Sequence, residues 1–193
     1  MADVFTVLGA DHREVQQVLT ALESATANRS GATSTEAQLK TIKDLADNLV
    51  IESSKHEAVE EQYFWPAVRE RLPDGDKLAG HAISQESEAK EVLAKLDKLA
   101  PADREFGELL AKFIPAAREH IDYEENTVWP KLRAVLTAGQ ADDLGAKLTD
   151  AKKMAPTRPH PHTPPSPGVL KTAGPAAAAT DKLRDSLTGR GGS

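Results

Sequence analysis

The 193-residue chain contains no cysteine, which excludes disulfides, thiolate metal sites and cysteine nucleophiles and leaves only nitrogen and oxygen donors for any metal. Aromatic residues amount to only 4%, the formal net charge is −6, and Lys and Arg nowhere cluster with interleaved aromatics, so nucleic acid is a poor partner. No apolar run approaches the ~18 residues of a membrane span. The amino terminus, MADVFTVLGADHREV, lacks a basic region and reaches Asp11 and His12 after a short apolar stretch, so it does not read as a signal peptide. Phosphate-binding, dinucleotide-binding and nucleophile-elbow glycine motifs are also missing. These absences predict a soluble cytoplasmic protein with neither nucleic acid nor membrane as partner, directed instead at a small ligand.

What is present divides the chain near Ala155. Residues 156–168, PTRPHPHTPPSPG, hold six prolines in thirteen positions and read as a polyproline-like linker. Beyond it, AAAATDKLRDSLTGRGGS has the composition of one short, marginal helix before a glycine end. Residues 155–193 are therefore expected to be a flexible, disordered Pro-rich tail of charge +3, leaving −9 on the body at 1–154. In that body the periodicity is helical throughout. It predicts helix A at 3–27, B at 34–71, C at 77–99, D at 102–136 and a shorter E at 139–153. Asn28–Ser34, the LPDGD turn at 72–76 and Ala100-Pro101 provide the breaks. Short connections make neighbours antiparallel, so the fold class is all-α, an up-down-up-down four-helix bundle with a short fifth helix.

The inward stripes of this bundle are unusual. On B the alternating four-and-three spacing selects Ile42, Ala46, Leu49, Ser53, His56, Glu60, Tyr63 and Ala67; on D it selects Phe106, Leu110, Phe113, Ala117, His120, Glu124 and Thr127. A carries Phe5, Leu8, His12, Val15, Leu19 and Leu22, and C carries Ala82, Glu86, Ala89, Leu93 and Leu96. Every helix places an ionisable residue where a core side chain belongs. Buried carboxylates are too costly to keep ionised without compensation, and one or two metal ions would supply it. A coiled-coil interaction module would explain the heptads and the acidity, but it would place Leu or Ile on these seams.

An internal repeat points the same way. HEAVEEQYFWP at 56–66 and HIDYEENTVWP at 120–130 share H-x-x-x-E-E-x-x-x-W-P, and HREVQQVLTAL at 12–22 aligns with ESEAKEVLAKL at 86–96. AB and CD are thus two copies of one helical hairpin, whose pseudo-twofold packing brings the two His-x-x-x-Glu pairs together. The ADHREV entry to helix A and the paired H-x-x-x-E-E copies ending in Trp-Pro resemble the haemerythrin-like HHE cation-binding domain over residues 3–136. The resemblance implies a non-haem di-iron centre of two iron ions, oxo- or hydroxo-bridged, with His12, His56 and His120 as terminal ligands and Glu60 and Glu124 as bridges. Helix C departs from the family pattern, where a histidine aligned with His12 is usual: here Glu86 holds that place, with His81 five residues earlier. Both are candidate ligands, Glu86 inward on the seam and His81 beside the inward Ala82.

Tyr63, one turn beyond Glu60, is a candidate for hydrogen-bonding a ligand or simply for packing. Glu61 and Glu125 read as solvated or outer residues, and Trp65 and Trp129 as packing on the outer face or helix E. Pro66, Pro115 and Pro130 predict kinks. His160 and His162 fall in the linker. Relatives of such a domain carry or sense oxygen, handle nitric oxide or peroxide, or store iron. A third carboxylate at Glu86 favours ferric iron, hence peroxide or nitric oxide redox handling in oxidative or nitrosative stress, with peroxidase- or catalase-like activity. The alternative is a non-catalytic oxygen or iron sensor, or an iron buffer, acting through an unidentified protein partner. The ligand expected on either reading is O2, H2O2 or NO.

Overall fold

Capping and apolar spacing account for the helices seen in the computed structural model, which describes residues 2–27, 34–163 and 167–188, with only the backbone of 167–173. Helix α1 spans Val4–Ala27. Helix α2, Glu36–Val59, begins at a Thr35 capping box in which the Thr35 hydroxyl accepts from the Gln38 backbone and the Gln38 side chain accepts from Thr35 N. A π-helical turn at Glu60–Phe64 joins α2 to α3, Trp65–Arg71. Helix α4 is Gly75–Leu96 and α5 is Arg104–Tyr123, followed by a second π turn at Glu124–Val128 and by α6, Trp129–Val135. Helix α7, Ala138–Lys152, starts at a matching Thr137 box, and α8 covers Pro167–Thr188. The break expected at 28–34 lies almost wholly outside the described residues, as does the glycine end.

The four long rods, α1, α2–α3, α4 and α5–α6, form the up-down-up-down bundle, with α7 laid against α1 and α2. Its core is in two parts. One is built from Val15, Leu19, Leu22, Ile42, Leu49, Leu93, Phe106 and Phe113; the other, toward the opposite end, from Phe5, Leu8, Phe64, Trp65, Val68, Leu132 and Leu148. Between them lies a buried polar layer containing Asp11, His12, His56, Glu57, Glu60, Glu86 and Glu124.

The π turns correct the seam. Trp65 N–H bonds to Glu60 C=O and Trp129 N–H to Glu124 C=O, five residues back in each case. The extra residue rotates the downstream part of each rod by about one helical position. Phe64 and Val128 are therefore buried where four-and-three spacing selects Tyr63 and Thr127; Tyr63 is half-buried and Thr127 exposed. Pro66 and Pro130 come next, at the start of α3 and α6, where the missing N–H and the ring's bulk fit the widened turn. Pro115 is accommodated inside α5 without ending it.

The described part of the tail is also packed, where the sequence reading has it flexible. Arg158 pairs with Asp97, the C-cap of α4, at 2.6 Å and with Asp185 of α8 at 2.8 Å. Asp181 is buried and accepts from Arg158 N, with His160 Nε2 3.0 Å away, so His160 has a structural partner. Helix α8 lies against the first π turn. Proline density rules out helix at 156–163 but not folding, because these side chains dock on charges of the bundle.

Gly145 marks the closest approach of α7 to the amino terminus: a Cβ there would lie 2.4 Å from Ala2 C=O and 2.7 Å from the Asp3 carbonyl carbon. Backbone cannot yield as a side chain can. Gly145→Ala is expected to cost about 1–3 kcal/mol, as overpacking does, and to lower the melting temperature by roughly 2–4 °C per kcal/mol. An unchanged thermal melt would show that α7 shifts freely.

Candidate metal centre

Six of the sequence's candidate ligands converge in the polar layer. His12 comes from α1, His56 from α2, Glu60 and Glu124 from the first positions of the two π turns, Glu86 from α4 and His120 from α5. They form two four-donor groups, His12–His56–Glu60–Glu124 and Glu60–Glu86–His120–Glu124, each with donor atoms within 4.8 Å of one another. Glu60 and Glu124 belong to both. Histidine Nε2 lies 3.0 Å from Glu124 for His12, 3.0 Å from Glu60 for His56 and 3.1 Å from Glu124 for His120.

The donor set fits metal ions on the structure's own terms. Both carboxylate oxygens of Glu60 and of Glu124, Glu86 Oε2, His12 Nε2 and His120 Nε2 are buried without a hydrogen-bond partner, and both bridging-position glutamates are fully buried. Several such atoms facing one another are destabilising unless a cation lies among them.

Around these donors sits a layer of polar partners that sequence spacing does not single out. His12 Nδ1 is 2.8 Å from Glu125 Oε1, His120 Nδ1 is 3.0 Å from Gln85 Oε1, and His56 Nδ1 faces Asp11 Oδ2 at 3.6 Å. Asp11 accepts in turn from Lys152 of α7 at 2.7 Å. Trp65 Nε1 donates to Glu86 Oε1, leaving Oε2 for the centre. Trp129 stacks on His12 with ring centroids 5.1 Å apart and 15° between planes. Such partners orient a ligand and choose its tautomer. The paired tryptophans thus point inward, not to the outer face, because the π turn rotates each of them toward the bundle. Asp11 and Gln85 carry no signal in the stripes, since they lie one position off them.

Two candidates are not brought together with the rest. His81 is exposed and packs edge-on against Tyr123, at 4.6 Å between centroids. Five residues from Glu86 are about 1.4 helical turns, which points the imidazole to another face. Tyr63 lines surface clefts toward α7 and the tail instead of the centre. Glu61, read as solvated or outer, is buried and bonded to Lys90 of α4.

Burial, reinforced by the charges of Glu60 and Glu61, raises the Glu86 carboxyl well above the usual range; burial and the charge of Glu124 also raise Glu60. Burial pulls the His56 imidazole down, but the Glu60 and Asp11 carboxylates outweigh it and lift it well above its ordinary value. Glu124 goes the other way: burial is overcome by His120 and His12, and its carboxyl is lowered. Buried Glu57 beside them is pushed up to about 7 by desolvation. A group whose value is raised keeps its proton to higher pH, and a metal that binds there must displace it. Loading ferrous iron or zinc at pH 7 in weak buffer is therefore expected to release at least about one proton per chain, and affinity should fall as pH drops from 7 toward 5. Calorimetry in buffers of different ionisation enthalpy measures this; pH-independent uptake would contradict it.

A helical bundle with a buried, twofold-related His/Glu cluster at its middle defines a carboxylate-histidine metal-binding class. The hemerythrin HHE cation-binding domain model matches residues 3–132, and the chain belongs to that family. It is 27% identical over 188 residues to an uncharacterized hemerythrin-like protein of Schizosaccharomyces pombe, covering 97% of this chain and 87% of that protein. A DNA nickase of Nostoc is 21% identical over 152 residues, 79% of this chain but only 40% of the nickase. The crystal structure of a hemerythrin HHE cation-binding domain-containing protein from Mycobacterium kansasii shares the fold, with a TM-score of 0.63 at 19% identity over 79% of this chain and 86% of that one.

Proposed function

We propose that the chain is a non-haem di-iron protein that handles a small oxygen species, with peroxide or nitric oxide redox handling under oxidative or nitrosative stress as its role. The observation that carries this reading is the sharing of Glu60 and Glu124 by two four-donor groups whose buried atoms lack other partners. His12, His56, Glu60 and Glu124 would hold one ion, and Glu60, Glu86, His120 and Glu124 the other. The iron pair supplies Lewis acidity and redox equivalents. The chain's own residues do the rest: Glu125 and Gln85 hold the His12 and His120 imidazoles, Asp11 faces His56 as a compensating charge, Trp65 holds Glu86, and apolar core lies to either end of the layer.

Glu86 inclines the centre to peroxide over reversible oxygen carriage, because a third carboxylate favours the ferric state. The test is paired. The iron-loaded wild type should consume hydrogen peroxide and show no reversible oxygen uptake, while Glu86→His should lower peroxide consumption about tenfold, within the range by which ligand surroundings alter such sites. Wild type that takes up and returns oxygen intact while leaving peroxide untouched would replace this reading with that of a non-catalytic oxygen or iron sensor.

A further inference from the structure

Beside the candidate metal centre, a cavity of about 200 Å³ opens between α4 and α5. Its floor is formed by His12, His56, Glu86 and His120, its walls by apolar side chains including Val15, Val92, Phe113 and Ile121, and its mouth by the exposed Glu88, Lys112 and Glu119. The room comes from small residues on the CD hairpin. Where α1 has Val15, the repeat aligns Ala89 on α4, and Ala117 faces it from α5. The floor adjoins both donor groups: His12 and His56 belong to one, Glu86 and His120 to the other, so an occupant of the cavity lies beside both metal positions.

Size and chemistry constrain the occupant. Hydrogen peroxide, oxygen and nitric oxide have two heavy atoms each, and one water takes about 30 Å³ of liquid, whereas a dry apolar cavity of about 150 Å³ holds benzene. The space is thus several times what the smallest oxygen species need and matches a ring with a short branch. Its apolar walls offer few partners to water, so filling it with hydrocarbon is favourable. At the mouth two carboxylates, Glu88 and Glu119, outnumber the single cation Lys112, and the apolar walls offer an anion no partner.

We infer that this cavity is a binding site for a neutral, apolar organic molecule of about one ring's bulk with a single terminal oxygen function, that is, the aryl or branched-alkyl body of an organic hydroperoxide, seated with its oxygen end toward His56, Glu86 and His120. This rests on the peroxide reading of the metal centre and adds the class of peroxide. The alcohol with the same body is a stable probe of the site and undergoes no redox step.

The experiment uses the full chain loaded with iron. Binding of 2-phenyl-2-propanol is measured by calorimetry, and the relaxation of its protons by the paramagnetic iron is read by NMR. Saturable binding is expected, with the methyl protons beside the hydroxyl relaxed faster than the para proton of the ring. Ala117→Leu and Ala89→Leu, which fill the cavity from opposite walls, should each weaken binding by about tenfold or more while iron content stays unchanged. The relaxation gradient needs no variant, so it decides the matter even where a leucine variant fails to fold. No binding up to the solubility limit, a gradient of the opposite sense, or undiminished affinity in both folded variants would overturn the inference. Those failures differ from failure of the peroxide reading, in which hydrogen peroxide itself persists in the presence of the loaded protein.

Discussion

Glu124→Ala is expected to remove metal from both positions at once, whereas His12→Ala and His120→Ala should each cost about one ion of two. The reason is the sharing of Glu60 and Glu124 by both donor groups, while His12 belongs to one and His120 to the other. Elemental analysis after iron-supplemented expression measures it, with wild type expected at about two irons per chain. Bound metal is also expected to stabilise the fold: a ligand that binds only the folded chain contributes about 4 kcal/mol at a thousandfold excess over its dissociation constant. Stripping the wild type with a chelator should therefore lower its melting temperature by roughly 10 °C, at about 2–4 °C per kcal/mol for a chain of this length. Glu124→Ala should melt near that lower value and respond little to added iron. One iron in the wild type, or equal loss in all three variants, would contradict the two-position arrangement.

The second large effect concerns the tail. Removing residues 156–193 is expected to lower the melting temperature by roughly 4–8 °C, because Arg158 bridges Asp97 at the end of α4 and Asp185 of α8 from a largely buried position. Truncation removes the Arg158–Asp97 contact, and a hydrogen bond to a charged group contributes about 1.5–3 kcal/mol. Arg158→Ala in the full chain should reproduce much of the loss. Tail residues also lie over the Glu61–Lys90 pair, in a cleft shared with Ser54, Pro159 and His160, so truncation should expose that pair to solvent. Hydrogen exchange along the first π turn would report it. A melt indifferent to both changes would return the tail to the flexible segment that its composition suggests.

That tail shows where composition misleads. Pro156, Pro159 and Pro161 forbid regular helix around them, and nothing local indicates that Arg158 and Thr157 find Asp97 and Asp185, which are far away in sequence. By contrast, the bounds of the helices up to residue 152 are readable to within a few residues, because caps such as Thr35 act locally and an amphipathic period repeats many times within one helix, whereas the short helix expected in the tail is a 22-residue α8 that starts at Pro167. The stripe residues up to the two glutamates are readable too. Beyond them the seam slips, since one inserted residue in a π turn leaves no mark on hydrophobic spacing. The mark it does leave is the Trp-Pro that closes each copy of the repeat.

The sequence by itself determined the all-helical bundle, the twofold repeat and the His and Glu residues that meet in the polar layer, since periodicity and duplication are properties of the chain taken in order. Only the tertiary structure decided between Glu86 and His81, turned Trp65 and Trp129 inward, paired Asp11 with Lys152 across α1 and α7, and opened a cavity at Ala89 and Ala117. Each of those depends on the rotation of one helix against another. A rotation of about 100° per residue converts a single inserted position into a different face, and that angle is set by packing across the bundle.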